Sequence, residues 1–160
     1  MQKSRDFFAF HCRIVSMRRY QKDSIIADLQ KKMVLLAGPR QAGKTTLAKE
    51  IGSECDETVY LNYDSASDRK IILEEAWLPS KKLLILDEIH KMPNWKTYLK
   101  GVYDTKSQHQ KILVTGSARL EIFHQVGVFF AGKYFLHQLM PFFPAEMKKW
   151  EKIHLFNLVG

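Results

Sequence analysis

Short apolar runs recur along the chain, and each is closed by a polar or glycine-containing stretch. Met33–Ala37, Thr58–Asn62, Leu83–Leu86, Lys111–Thr115 and Lys133–Leu139 carry strand-forming residues and predict five strands. The run Leu83-Leu84-Ile85-Leu86 has no polar alternation, as expected of a central parallel strand covered on both faces. Between these runs the spacing changes to that of helices. Ile25, Ile26 and Leu29 give one face of a helix over Asp23–Lys32, with Asp23 or Ser24 as its cap. A helix from Thr46 to about Ile51 is closed by Gly52. Another fits Ser67 to Trp77. Trp95, Tyr98, Leu99, Val102 and Tyr103 fall on one stripe of an amphipathic helix that starts at Pro93-Asn94. Helices are also expected over Leu120–Val126 and Ala145–Ile153. Strands alternating with helices predict an α/β three-layer sandwich around a parallel sheet.

Residues 1–16 follow no period. One expectation is that Met17 is the true start and that 1–16 form an upstream extension, leaving 17–160 as the domain. The length of 160 residues suits one domain with a real core. No apolar run approaches a membrane span, and the N-terminus lacks a clean signal-peptide core. Cys12 and Cys55 have no metal-ligand spacing and suit reduced thiols in a cytoplasm. The net charge of +8 is concentrated in residues 1–50, with eleven basic and four acidic residues. That balance keeps nucleic acid as a candidate partner. With no zinc-finger, RRM or aromatic–basic module in the chain, ordinary solvated lysines beside a nucleotide site are the favoured reading.

The candidate chemistry begins where the first strand ends. Gly38-Pro39-Arg40-Gln41-Ala42-Gly43-Lys44-Thr45 fits G-x-x-x-x-G-K-[ST] between a strand and a helix, the context a P-loop requires. Such a loop turns backbone N–H groups toward phosphate oxygens at a helix N-terminus. Gly38 to Thr46 are therefore the expected nucleotide-binding residues. Lys44 is expected to reach the β- and γ-phosphates, and Thr45 to ligate Mg²⁺. The apolar run 83–86 ends in Asp87-Glu88, the Walker B pattern. Asp87 would bind Mg²⁺, and Glu88 would orient and polarise an attacking water. At the end of the fourth strand, Thr115 or Ser117 is placed to reach the γ-phosphate, with Arg119 as a further sensor. Ser117 serves equally as a helix cap. His90 either tunes Glu88 or is a surface loop histidine. No guanine-reading N-K-x-D sequence is present, which favours ATP.

GPRQAGKTTLAKEI, YLNYD with Asp68-Arg69, LLILDEIHKMPNWKTYLKGVYD, KILVTGSARL and AGKYFLHQLMPF together resemble the AAA+-superfamily predicted ATPases of bacteria and archaea. In those proteins an N-terminal AAA domain is typically followed by a C-terminal domain of unknown function. The resemblance covers about Met17 to Met147 and implies a five-stranded P-loop NTPase sheet of order 5-1-4-3-2. It implies Mg²⁺-dependent binding of ATP and its hydrolysis to ADP and phosphate. It also implies a longer chain than this one, so a truncated product is an expectation. The alternative is a nucleotide-binding module or remnant with little turnover, or a nucleic-acid-associated regulator. The family pattern usually has Arg where this chain has Lys133, and a cation there is expected to help neutralise phosphate charge.

Overall fold

The computed structural model describes residues 21–117 and 132–141. Its elements are α1 (Gln21–Leu29), β1 (Met33–Ala37), α2 (Lys44–Ser53), β2 (Thr58–Asn62), α3 (Ala66–Leu73), β3 (Leu83–Asp87), a 3₁₀ turn (Ile89–Lys91), α4 (Trp95–Thr105), β4 (Lys111–Thr115) and β5 (Tyr134–Gln138). All neighbouring strands are parallel, in the order β2-β3-β4-β1-β5. This is the expected 5-1-4-3-2 order seen from the other edge.

The two faces of the sheet separate by residue parity, as a period of two requires. Met33, Leu35, Leu84, Leu86, Ile112 and Val114 face one cluster, completed by Ile72 of α3 and Leu99 and Val102 of α4. Val34, Leu36, Leu83, Ile85 and Leu113 face the other, completed by Ile25 and Leu29 of α1 and Leu47, Ala48 and Ile51 of α2. Every residue of β1 and β3 is buried, which explains why these runs are apolar without alternation. A fully buried Leu or Ile contributes about 1.5–3 kcal/mol, so the central strands and their flanking helices hold the sandwich together. Lys22 pins α1 to α2. Its buried ammonium meets Glu50 and Glu54 at 2.6 Å each.

Three helix boundaries differ from the sequence reading. α1 lies two to three residues earlier, because the amides of Lys31 and Lys32 both turn back onto Asp28 O and end the helix. α2 continues through Gly52 to Ser53. Gly52 is there for packing: a Cβ would stand 2.9 Å from Ile85 Cδ1 and 3.1 Å from Thr58 Cγ2. α3 stops at Leu73 rather than Trp77. Leu73 to Ala76 are all exposed, so a longer helix would bury no further face. The amides of Glu74 and Ala76 close its end onto Lys70 O and Ile71 O. The expected helices over 120–126 and 145–153, residues 1–17, Cys12 and Arg119 lie outside the described residues. Among the described residues no helix is long and apolar enough to cross a membrane.

Candidate functional site

Ligands of open α/β sheets bind beyond the C-terminal ends of the strands, and the sequence-predicted residues meet there. β1 runs into the loop 38–43, and α2 starts at Lys44 with Gly43 as its N-cap at φ 85°. Gly38 has φ 153°, and a Cβ on it would lie 2.1 Å from Leu139 O. The first glycine of the motif is thus required by the strand edge beside it. The N–H of Leu139, just past β5, donates to Ala37 O at 2.7 Å. Gln41 holds φ 63° at the loop tip, a conformation that costs a non-glycine residue about 1 kcal/mol or more. Ala42 is fully buried and packs under the loop.

The register brings Asp87 of β3 level with Thr115 of β4 and Asn62 of β2. Asp87 is 1% exposed and its carboxylate accepts from three hydroxyls. Thr45 Oγ1 donates to Oδ2 at 2.8 Å, Tyr60 Oη donates to the same oxygen at 2.6 Å, and Thr115 Oγ1 donates to Oδ1. Lys44 is almost buried, and its ammonium donates to Gly38 O at 3.0 Å and Pro39 O at 2.7 Å. Burial pulls its pKa below the usual lysine range, while Glu88 and Asp87 oppose that pull.

Glu88 leaves the strand at φ 58° and lines the cleft together with Asp87. Lys91 Nζ lies 3.3 Å from Glu88 Oε2 and also donates to Asp64 Oδ2. The hydrogen bond to Asp64 is the main cause that raises the Lys91 pKa, with Glu88 adding to it against the cost of burial. His90 is not a surface histidine: its side chain is 6% exposed, 3.8 Å from Glu88 Oε2 and 3.1 Å from Ser117 Oγ. The rim of Arg40, Lys49, Asp64 and Lys91 closes a cleft of about 990 Å³ over these groups.

Thr115 is fully buried behind Asp87 and does not line the cleft; Ser117 does. Lys133 is not at this end of the sheet. It precedes β5, which runs parallel to β1, so it stands at the opposite pole and pairs with Asp104 at 2.6 Å. The expectation that it neutralises phosphate charge fails on that geometry. Sequence reasoning missed Tyr60. The signal was present: in the order 2-3-4, Tyr60 and Asn62 share a face of the strand next to Asp87, and Tyr60 is the one with a hydroxyl long enough to reach it.

Similar proteins agree with this architecture. A protein of Methanocaldococcus jannaschii, MJ1637, is 31% identical over 117 residues, covering 62% of this chain and 24% of that protein. Rv2008c of Mycobacterium tuberculosis is 28% identical over 109 residues, covering 67% of this chain and 24% of that protein. The chain thus spans about a quarter of the length of these relatives. Among solved structures, Thermotoga maritima RuvB, a Holliday junction branch migration motor, superposes with a TM-score of 0.50 at 23% identity over 80% of this chain and 47% of that one, a likeness of fold. The AAA domain family model AAA_14 matches residues 30–148. With the glycine loop, the Asp87 carboxylate and the sheet order in place, the chain belongs to that family and is an AAA-type P-loop NTPase domain.

Proposed function

We propose that this domain binds ATP with Mg²⁺ and hydrolyses it to ADP and phosphate. The observation that carries the reading is the meeting of Thr45 Oγ1 and Asp87 Oδ2 at 2.8 Å beneath the glycine loop, with Glu88 next in the chain. Among the described residues no group of three or more His, Cys, Asp or Glu side chains is arranged to hold a metal ion. A cation here would rest on one hydroxyl, one carboxylate, water and phosphate oxygens, a donor set that fits Mg²⁺. Thr45 and Asp87 would hold it, and it would supply charge neutralisation on the β- and γ-phosphate oxygens.

The remaining roles belong to the chain itself. Backbone N–H groups of residues 38–46 hold phosphate oxygens at the start of α2. The Lys44 ammonium exchanges the Gly38 and Pro39 carbonyls for the β- and γ-phosphates, which offset its burial better than neutral oxygens do. Glu88 orients a water and takes its proton. Thr115 acts through Asp87, keeping one carboxylate oxygen fixed. Direct contact of Thr115 with the γ-phosphate requires its hydroxyl to leave that bond.

A second reading is a nucleotide-binding module with little turnover. It is favoured by one observation: Lys91 lies 3.3 Å from the Glu88 carboxylate, which must be released before it can act on water. Single-turnover phosphate release separates the two. Hydrolysis predicts release above a Lys44→Ala control and a loss of about 100-fold or more in Glu88→Gln, with nucleotide still bound. Nucleotide binding with wild-type release no greater than that of Lys44→Ala supports the module instead.

A further inference from the structure

The pole of the sheet opposite the cleft is built on lysines. Four neighbouring strands are each entered on one: Lys133 before β5, Lys32 before β1, Lys111 at the start of β4 and Lys82 before β3. The register sets Lys133, Lys32 and Lys111 level and Lys82 one residue short, because Leu83 pairs with Lys111. Met33 pairs with Tyr134 and Val34 with Leu113, so Lys32 stands between Lys133 and Lys111. The Lys111 amide donates to Lys82 O at 2.8 Å. Parallel strands lie about 4.8 Å apart, so the backbone gathers these lysines at one pole, with Lys32 Nζ 5.0 Å from the Phe135 ring centroid and Lys133 Nζ on Asp104.

Carboxylates answer only part of that charge. Lys133 pairs with Asp104 at 2.6 Å and Lys82 with Glu57 at 3.2 Å. Lys31, Lys32, Lys106 and Lys111 form no ion pair among the described residues. A pocket of about 470 Å³ opens between them, lined by Lys31, Lys32, Lys82, Lys106, Lys111 and Tyr103, and no described carboxylate lines it. Lys106 is half-buried, and burial lowers its pKa, so an anion in the pocket would favour its charged form.

We propose that this pocket is a second binding site, separate from the nucleotide cleft, and that it takes the sugar–phosphate backbone of a single-stranded nucleic acid. A row of cations suits successive phosphates rather than one isolated anion. Lysines hold phosphate as point charges without reading sequence. The half-buried Tyr103 ring lines the same pocket, with Lys106 Nζ 5.5 Å and Lys133 Nζ 5.8 Å from its centroid, and a base that stacks on it takes the place of one of these ammonium groups. An acidic peptide would use the lysines but not that ring.

The test is anisotropy of a labelled 15-nucleotide oligo(dT) with the full 160-residue chain over a salt series. Three or four phosphate contacts predict a slope of log K on log salt of about −2 to −3, at about −0.7 per contact on a single strand. Lys106→Gln with Lys111→Gln should reduce that slope by about 1.4 and weaken binding about 25-fold at ~0.1 M salt. Lys31→Gln with Lys82→Gln, both at exposed positions, should act in the same direction. Lys44→Ala should leave oligonucleotide affinity within about two-fold of wild type, because it removes no phosphate contact at this pole. Both double variants should still bind an ATP analogue, which shows them folded. Salt-insensitive or absent binding overturns the proposal, as does unchanged affinity in both double variants. Equal competition by polyglutamate assigns the pocket to an acidic protein surface. Tripolyphosphate binding without oligonucleotide binding assigns it to free phosphate, and tighter binding of a duplex of equal length removes the single-strand assignment. Each of these three results overturns the proposal.

Discussion

Removing the Tyr60 hydroxyl isolates one of the three bonds that hold Asp87. In Tyr60→Phe the ring stays, and with it the Lys49 ammonium 4.6 Å from the ring centroid. What is lost is a 2.6 Å hydrogen bond to the Asp87 carboxylate. A bond of this charge-assisted kind is worth about 1.5–3 kcal/mol. Thr45 and Thr115 still donate to the carboxylate, and Tyr60 borders the open cleft, so water can replace part of the loss. The lower half of the range is therefore expected, about 1.5–2 kcal/mol, or about 3–8 °C in Tm for a chain of this size. Urea unfolding and thermal melts of both proteins measure it directly. In an Asp87→Asn background the same change should cost at least about 1 kcal/mol less, because the charged acceptor is already gone. Stabilisation by an ATP analogue with Mg²⁺ should survive in Tyr60→Phe, since Thr45 and Asp87 remain. A cost below about 0.5 kcal/mol, or the same cost in both backgrounds, would refute the claim that Tyr60 is part of the site.

Gly52→Ala should gain about 1 kcal/mol of helix propensity and lose about 1–3 kcal/mol to crowding against Ile85 and Thr58, for a net destabilisation of about 1 kcal/mol by urea titration. A stabilised variant would show that the close approach is absent. Alkaline absorbance titration of the native chain should find the phenols of Tyr60 and Tyr98 still protonated at a pH where a free phenol has ionised. Burial, reinforced by the hydrogen bond to Asp87, raises the Tyr60 pKa, and burial with the nearby Glu75 charge raises that of Tyr98. The sign follows: stability from these raised values is fully present below the free phenol value of about 10 and disappears as pH climbs through the folded values. Tyr60→Phe should remove one late step, and an unchanged titration would contradict the bond.

The strands, the parallel α/β sandwich and the glycine loop were legible in the sequence because local patterning encodes them, whereas the strand order came from the family resemblance. Leu83–Leu86 had to be central since it offers no polar face, and Gly38 to Thr45 form a contiguous motif. What stayed hidden depended on contacts between distant segments. Gly52 reads as a helix stop until Ile85 and Thr58 are placed against it. His90 reads as a loop residue until the 3₁₀ turn folds it beneath Glu88 and Ser117. Lys133 reads as a phosphate partner until β5 is oriented parallel to β1, which sends its first residues to the other pole. Thr115 was found at the right strand end, but its hydroxyl is turned to Asp87 rather than to the cleft.

If the loop from Gly38 to Thr45 holds a nucleoside triphosphate at the C-terminal edge of the sheet, its lysine must carry part of the binding. Equilibrium binding of a fluorescent ATP analogue, with Mg²⁺, to the wild-type chain and to Lys44→Ala tests it most directly. Lys44 is the cation turned into the loop, with its ammonium on the Gly38 and Pro39 carbonyls. Loss of a charge-assisted phosphate contact of about 1.5–3 kcal/mol weakens binding about 10- to 150-fold. Saturable wild-type binding and a loss of at least that size in the variant are expected; equal affinity in the two proteins would rule out phosphate binding by Lys44.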